Sequence, residues 1–158
     1  MNLIIDYLTE QDRSTIFYNK FLESLDMNDL HIKVDSKQGF IGQLHQRNLD
    51  GYKHLTILTH GVQNQDFISK DGLRENALSY KELVDTLNTI VGNGLILNII
   101  GICHSIRIET VVKNLKNHFT EVWVSEDEND SFDAPIRIMR DGFDLYMNLQ
   151  DVGKFKRL

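Results

Sequence analysis

The chain has 158 residues, 41% hydrophobic and 25% charged, a composition typical of one globular domain, which we assign to residues 1–158. The formal net charge of −6 argues against nucleic-acid binding, and no apolar run approaches the roughly 20 residues that span a bilayer. A single cysteine excludes an internal disulfide, and residues 1–6 lack the features of a signal peptide, so we expect a cytoplasmic protein.

Apolar residues in the first third of the chain alternate between strand-like runs and helix-length stretches. The pattern predicts a strand over residues 3–8, a second over 30–34, a short helix within 38–50 and a third strand over 55–59. Ser14 is a candidate N-cap for an intervening helix. The apolar residues expected on one side of that helix are Ile16, Phe17, Phe21, Leu22 and Leu25. We expect Phe17, Phe21 and Trp123 to be core residues.

The rest of the chain continues the alternation. Residues 60–78 form a long connection with a turn signal at Asp71-Gly72, and Ser79 with Glu82 forms a capping box that opens an amphipathic helix. Glycines within 92–94 end this helix before an almost wholly apolar strand over 95–100. A further helix carrying Ile108, Val111, Val112 and Leu115, a strand over 121–124 and a looser helical pattern over 134–149 follow.

Strands that alternate with helices indicate βαβ crossovers. We therefore predict an α/β fold with a mainly parallel central sheet and helices on both faces. Ligands of such sheets bind beyond the carboxyl ends of the strands. His60 and Cys103 follow two of these ends, and consecutive strands are usually neighbours.

Cys103 and His60 are the candidate catalytic residues. Cys103 precedes a predicted helix, whose N-terminus would favour the thiolate. His60 could accept the thiol proton and later protonate the leaving amine, and the backbone amides of Gly61 and Cys103 could bind the oxyanion. The residues alone leave open that Cys103 is a small buried apolar residue and that His60 is a structural histidine.

The order of these motifs resembles the core of caspase-like peptidases. The resemblance is carried by Leu58-Thr59-His60-Gly61, Asp71-Gly72, the capped helix and Asn98-Ile99-Ile100-Gly101-Ile102-Cys103-His104-Ser105. It is nearest to caspases and to bacterial CHAT domains, and it covers residues 53–125 best. Both families place a His-Gly pair at one strand end and a cysteine at the end of the next strand.

This resemblance implies a three-layer caspase-like sandwich and a thiol protease, a hydrolase with a Cys103/His60 dyad, an oxyanion hole at Gly61 and Cys103, and no metal or organic cofactor. Caspases carry Gln two residues before the nucleophile, where it helps bind an acidic side chain. Gly101 takes that place here, which argues against aspartate specificity. Asp127, after the fifth strand, could instead accept a basic substrate side chain. We expect His104 to face solvent.

The implied partner is a protein or peptide substrate, without nucleic acid or membrane. No gating module is evident in the sequence, so a regulatory protein or self-association is expected to control activity. Two alternatives remain open. The fold could serve as a non-catalytic binding or scaffold module, or Gly101–Ser105 could be the nucleophile elbow of an α/β-hydrolase whose base is His118.

Overall fold

A mainly parallel sheet organises the chain. The structure is a computed structural model that describes residues 1–116, 118–128, 132–149 and 154–158. The strands are β1 (Asn2–Tyr7), β2 (Asp29–Val34), β3 (His54–Leu58), β4 (His60–Gly61), β5 (Phe67–Ser69), β6 (Ala77–Ser79), β7 (Leu95–Asn98), β8 (Phe119–Ser125) and β9 (Phe155–Arg157). Six of them form one sheet in the order β2-β1-β3-β7-β8-β9, in which only β9 is antiparallel to its neighbour. The predicted mixed α/β fold with a mainly parallel sheet is confirmed.

The remaining strands, β4, β5 and β6, form a small antiparallel sheet. The helices are α1 (Glu10–Arg13), α2 (Ile16–Ser24), α3 (Lys37–Leu44), α4 (Tyr80–Leu87), α5 (Ala134–Asp141) and α6 (Phe143–Leu149), and the 3₁₀ segments are Arg74–Asn76, Ser105–Thr110 and Val112–Asn114. None of the described helices combines the length and the apolar character needed to cross a bilayer.

Helices cover both faces of the large sheet. Ile5 of β1 packs in one apolar cluster with Phe40 of α3 and Leu83 of α4. Its neighbour Ile4 points to the other face and packs in a second cluster with Phe21 of α2. Because successive strand residues point to opposite faces, burial on both sides requires the nearly continuous apolar runs of these strands.

The capping signals of the sequence were partly misassigned around α2. The capping box of Ser79 and Glu82 is confirmed at α4. Thr15, however, is the N-cap of α2, and Ser14 instead ends the short helix α1. The reason is a second capping box, between Thr9 and Asp12, which begins α1 five residues earlier than the predicted helix.

The start of α2 at Ile16 determines which of its side chains are buried. Tyr18 and Phe21 face the core, whereas Ile16, Phe17 and Leu22 are exposed. Placing Phe17 in the core was therefore wrong, since 48% of it is accessible, while Phe21 and Trp123 are buried as predicted. The break in the C-terminal helical pattern is confirmed at Gly142, which has a φ of +84° and separates α5 from α6.

The predicted helix after Cys103 is the main correction to the fold. Residues 105–114 form two 3₁₀ segments, interrupted at Val111, whose φ of −126° is not helical. Ser105 is fully buried and its hydroxyl donates to the carbonyl of Ile99, which ties the start of the segment to the end of β7. Short 3₁₀ turns align few peptide dipoles, so the expected support of a thiolate by a helix dipole is weak.

Candidate active site

The two candidate catalytic residues lie at the same edge of the sheet. β3 and β7 are parallel neighbours, with Thr56 opposite Asn98. His60 follows the carboxyl end of β3 and Cys103 follows the carboxyl end of β7. The sheet therefore carries both residues to the edge where ligands of parallel α/β sheets bind.

Gly61 brings the two loops into contact. The strand β4 pairs with β5, with His60 opposite Ser69, and this pairing fixes the direction of the chain after β3. A Cβ atom built on Gly61 would overlap the carbonyl oxygen of Cys103 and lie 3.0 Å from its carbonyl carbon. Only glycine permits this approach, which places the backbone of residues 60–61 directly against the cysteine loop.

Hydrogen bonds from β8 hold the cysteine loop in place. The hydroxyl of Ser105 accepts a hydrogen bond from the backbone N–H of Ser125 at 2.8 Å. The N–H of His104 donates to the carbonyl of Asp127 at 3.0 Å, and the hydroxyl of Ser125 donates to the same carbonyl at 2.8 Å. His104 itself adopts left-handed backbone angles, with φ of +58°, so the chain turns sharply after the cysteine.

A cleft of about 270 Å³ opens at this edge. It is lined by Asp12, Thr15, Phe17, Thr59, His60, Gly101, Cys103 and Phe132. Its volume is slightly below the range of ~300–1,000 Å³ that holds drug-sized ligands, so it suits a single amino-acid side chain.

The carboxylate of Asp12, which also lines the cleft, contacts His60. Its Oδ2 lies 3.0 Å from Nε2 of the imidazole. The same oxygen accepts hydrogen bonds from the backbone N–H and the hydroxyl of Thr9. Burial raises the pKa of Asp12, but the hydrogen bonds from His60 and Thr9 outweigh it, and the pKa is lowered. An ionised Asp12 therefore holds the imidazole with Nε2 as its N–H nitrogen.

The helix that presents Asp12 is anchored by a buried ion pair. Arg13 follows Asp12 and donates from Nε to Oδ1 of Asp6 at 2.9 Å. Asp6 is fully buried in β1, where its other oxygen accepts a hydrogen bond from Tyr18 at 2.7 Å and lies 2.5 Å from Nε2 of His31. Burial raises the pKa of Asp6, but these donors together lower it below its ordinary value. The ion pair fixes the position of α1, and hence of Asp12, relative to the sheet.

The other residues predicted for the site have different outcomes. Gly101 lines the cleft, and a Cβ atom there would overlap the terminal methyl of Leu58 and lie 3.1 Å from Cγ of Pro135, so a side chain at this position would require Leu58 to move. Asp127 is not among the described residues that line the cleft. Its backbone carbonyl supports the cysteine loop, and its carboxylate accepts a hydrogen bond from the N–H of Glu128.

His104 does not face solvent, in contrast to the expectation. Only 9% of it is accessible. Its backbone has left-handed angles, and its N–H donates to the carbonyl of Asp127 in the loop that follows β8, so the residue is held against this loop.

Sequence reasoning missed Asp12, Thr15, Thr59 and Phe132 as cleft residues. One signal was present, because Thr9 and Asp12 have the spacing of a capping box and so mark a helix start beside the sheet edge. Nothing in the local pattern indicated that this helix lies across from His60.

Elsewhere on the described surface, the residues are less suited to catalysis. A larger concavity of about 570 Å³ is lined by residues of β6 and α4, and two of its charged groups, Lys37 and Glu82, pair with each other at 3.0 Å. Within the described ranges no three His, Cys, Asp or Glu side chains are grouped as metal ligands would be.

No protein-family model matches the chain, and no curated protein matches its sequence significantly.

Proposed function

We propose that the chain is a cysteine endopeptidase that hydrolyses peptide bonds through Cys103 and His60. The observation that carries the proposal is that these two residues, 43 positions apart in sequence, line one cleft beyond neighbouring parallel strands. A nucleophile and a base in one cleft, with a carboxylate bonded to the base, form the arrangement needed for activated nucleophilic catalysis.

The hydrogen bond between Asp12 and His60 assigns the two imidazole nitrogens. Because Nε2 donates to the carboxylate, Nδ1 is the nitrogen that exchanges a proton with the thiol of Cys103. Nδ1 takes this proton, and the thiolate attacks the carbonyl carbon of the peptide. The carbon–nitrogen bond then breaks, the amine leaves with the proton from His60, and water hydrolyses the remaining thioester.

The developing oxyanion requires hydrogen-bond donors beside the nucleophile. The backbone amides of Gly61 and Cys103 are the proposed donors. The close packing of Gly61 on the Cys103 peptide supports this proposal, because it brings the two backbone segments that carry these amides into contact. Without an α-helix after Cys103, the imidazolium of His60 is the main group that stabilises the thiolate.

The arrangement favours a caspase-like enzyme over an α/β-hydrolase. The base of the latter would be His118, which lies just before β8 and bonds through Nδ1 to the carbonyl of Gly92 at 2.7 Å. In a parallel sheet, the start of β8 is at the opposite edge from Cys103. The helices on both faces and the order of His-Gly, hairpin, capped helix and cysteine support the three-layer caspase-like sandwich, as the finer description of the fold.

The test is digestion of a peptide library by the native chain, Cys103→Ala and His60→Ala. We expect selective cleavage by the native chain, none by Cys103→Ala, and a rate about 10²–10⁴-fold lower for His60→Ala, because general acid–base catalysis is lost. His45→Ala, which removes an exposed histidine elsewhere, is the matched control and should cleave normally.

A thiol-reactive peptide probe provides a second measurement. Labelling should occur at Cys103 and depend on His60. Cleavage that persists in Cys103→Ala would refute the proposal. Equal labelling of the native chain and His60→Ala, with no cleavage by either, would favour a binding or scaffold module.

A further inference from the structure

The cleft contains one hydrogen-bond acceptor that the catalytic arrangement leaves unused. The three hydrogen bonds that reach the carboxylate of Asp12, from Thr9 N, Thr9 Oγ1 and His60 Nε2, all end on Oδ2. In the described part of the chain, Oδ1 has no hydrogen bond. The carboxylate of Asp12, which lines the same cleft as Cys103, thus keeps one oxygen available to a ligand.

A second, independent group in the same cleft lacks a partner. Thr59 is 98% buried, and its hydroxyl oxygen has no hydrogen-bond partner among the described residues. Thr15, which also lines the cleft, differs in that its hydroxyl donates to the carbonyl of Asp12 and accepts from the N–H of Tyr18. A buried polar group without a partner destabilises the folded state unless a ligand supplies the missing hydrogen bond.

The walls of the cleft are aromatic. Phe17 extends from α2 with about half of its surface exposed. Phe132 is held with its ring edge-on to the buried ring of Tyr18, at 6.4 Å between centroids. Aromatic rings accommodate an aliphatic side-chain stem, and their faces attract the cation of arginine or lysine.

We propose that this cleft binds a basic substrate side chain, preferentially arginine, at the residue preceding the scissile bond, with Asp12 Oδ1 as its anionic partner. This inference rests on the proposed peptidase function. A planar guanidinium can donate to the carboxylate oxygen and pack against the two rings. Water cannot reach the Thr59 hydroxyl in the free chain, so the cleft wall must shift slightly for the guanidinium to donate to it as well. An acidic side chain would be repelled by Asp12, and an apolar one would bury the unused carboxylate oxygen without a donor.

Asp12, rather than Asp127, is thus the residue that recognises a basic side chain. Asp127 lies in the loop after β8, where its carboxylate accepts the N–H of Glu128. Asp12 lies in the cleft itself and uses one oxygen for His60 and the other for the substrate. Binding of the substrate and orientation of the base thus share one carboxylate.

The test measures binding to Cys103→Ala, so that it does not depend on catalysis. Three short peptides, identical except for arginine, citrulline or leucine before the scissile bond, are titrated by calorimetry. Citrulline has nearly the shape of arginine without its charge. We expect the arginine peptide to bind about tenfold more tightly than either of the others, as a charge-assisted hydrogen bond predicts.

Two variants of Cys103→Ala identify the groups involved. Asp12→Asn should abolish the preference for arginine, and Thr59→Val should reduce it without lowering the melting temperature, because valine replaces an unpaired hydroxyl. Thr56→Val is the matched control, the same substitution in β3, where the hydroxyl contacts the sulfur of Met139. It should leave the preference unchanged.

The outcomes separate this inference from the proposed function. Equal or tighter binding of citrulline or leucine would overturn the inference, even if the native chain cleaves peptides. A preference for arginine that Asp12→Asn does not alter would also overturn it, because binding would then involve another part of this acidic chain. A preference for arginine that requires Asp12, in a native chain that cleaves nothing, would support the binding site and refute the peptidase.

Discussion

At the scale of single residues, the candidate site depends on a glycine as much as on the proposed catalytic residues. Gly61 is the point where the chain after β3 touches the chain after β7, and the contact is backbone to backbone. A side chain that meets backbone atoms cannot be accommodated by a rotamer change. The relative position of His60 and Cys103 therefore depends on the absence of a Cβ atom between them.

We predict that Gly61→Ala will lower both stability and activity. The added Cβ would overlap the carbonyl oxygen of Cys103 and approach Cγ2 of Ile102 to 3.1 Å, so the two loops must separate. The expected loss in the free energy of unfolding is about 1–3 kcal/mol, measured by urea denaturation, and peptide cleavage should fall with it.

Gly42→Ala is the matched control for this substitution. Gly42 lies inside α3, and a Cβ atom built there meets nothing within 4 Å. Alanine favours the helix, so this variant should be about 0.5–1 kcal/mol more stable than the native chain. If Gly61→Ala proved as stable and as active as Gly42→Ala, the two loops would not be in the contact described.

The residues that sequence reasoning identified and missed differ in how they reach the cleft. His60 and Cys103 were predictable because they lie two and five residues after the ends of β3 and β7, so the strand ends largely determine where they lie. Asp12 was not, because it reaches the cleft from α1, and no local pattern shows that this helix lies opposite His60. Thr59 was visible only as the residue before His60. Its unpaired hydroxyl is a property of the assembled site.

At the scale of elements, α1 is too short to be stable by itself. Four residues cannot offset the cost of helix nucleation, and none of the four is apolar. The capping box of Thr9 and Asp12 supplies hydrogen bonds to backbone N–H groups at the start of α1. Arg13 connects the helix to the sheet. This side chain is 5% exposed and contacts the carboxylate of Asp6 and the backbone carbonyl of Val34.

We predict that Arg13→Met will destabilise the protein by about 3–5 kcal/mol, because it leaves the buried carboxylate of Asp6 without its cation. Cleavage should also fall when measured well below the melting temperature, since α1 presents Asp12 to His60. Urea denaturation and peptide hydrolysis at a single temperature measure the two effects.

Arg157→Met tests whether this effect is specific to the buried pair. Arg157 pairs with Asp144 at 3.2 Å, and 41% of its side chain is exposed. Exposed ion pairs contribute little, so this variant should lose no more than about 1 kcal/mol. Adding Asp6→Asn to Arg13→Met should restore part of the lost stability. If the double variant is less stable than Arg13→Met, the unpaired charge is not the cause.

The predictable elements are those determined by local sequence patterns, and the others depend on contacts with the rest of the fold. The strand before Cys103 and helix α4 were recognised because apolar periodicity and a capping box are encoded locally. The 3₁₀ segments after Cys103 were mistaken for a helix because apolar residues recur there at helical spacing. Their conformation follows from the hydrogen bonds of Ser105 to Ile99, just after β7, and to Ser125 of β8, and helical spacing does not encode either bond. Strand β9 is too short to have a periodic pattern.

At the scale of the whole molecule, titratable groups are buried or partly buried at both edges of the sheet. Asp6 and Asp12 lie at the carboxyl edge, near the cleft, and both have lowered pKa values. His54 lies at the amino edge, at the start of β3, where it is 2% exposed. Its ring lies 5.6 Å from that of Trp123, and its Nδ1 is 2.8 Å from Oδ1 of Asn2. Burial, aided by the charges of Lys53 and the N-terminus, lowers the pKa of His54 from 6.5 to about 4.

These groups predict that acid destabilises the chain in two separate ranges. Between pH 6.5 and 4 the unfolded chain protonates His54 and the folded chain does not, so stability falls as the pH falls, by on the order of 3 kcal/mol in total. Asp6 and Asp12 have folded pKa values below 3.8, so the stability that they contribute remains above about pH 4 and is lost below it.

His54→Asn separates the two ranges, because asparagine does not titrate and retains a polar group where Nδ1 contacts Asn2. The free energy of unfolding, measured by urea denaturation from pH 8 to pH 3, should fall between pH 6.5 and 4 more steeply in the native chain than in the variant. Below pH 4 the two curves should run parallel, since both proteins keep Asp6 and Asp12. Parallel curves over the whole range would show that the imidazole of His54 is protonated as readily in the folded chain as in the unfolded one, which its burial beside Trp123 should prevent.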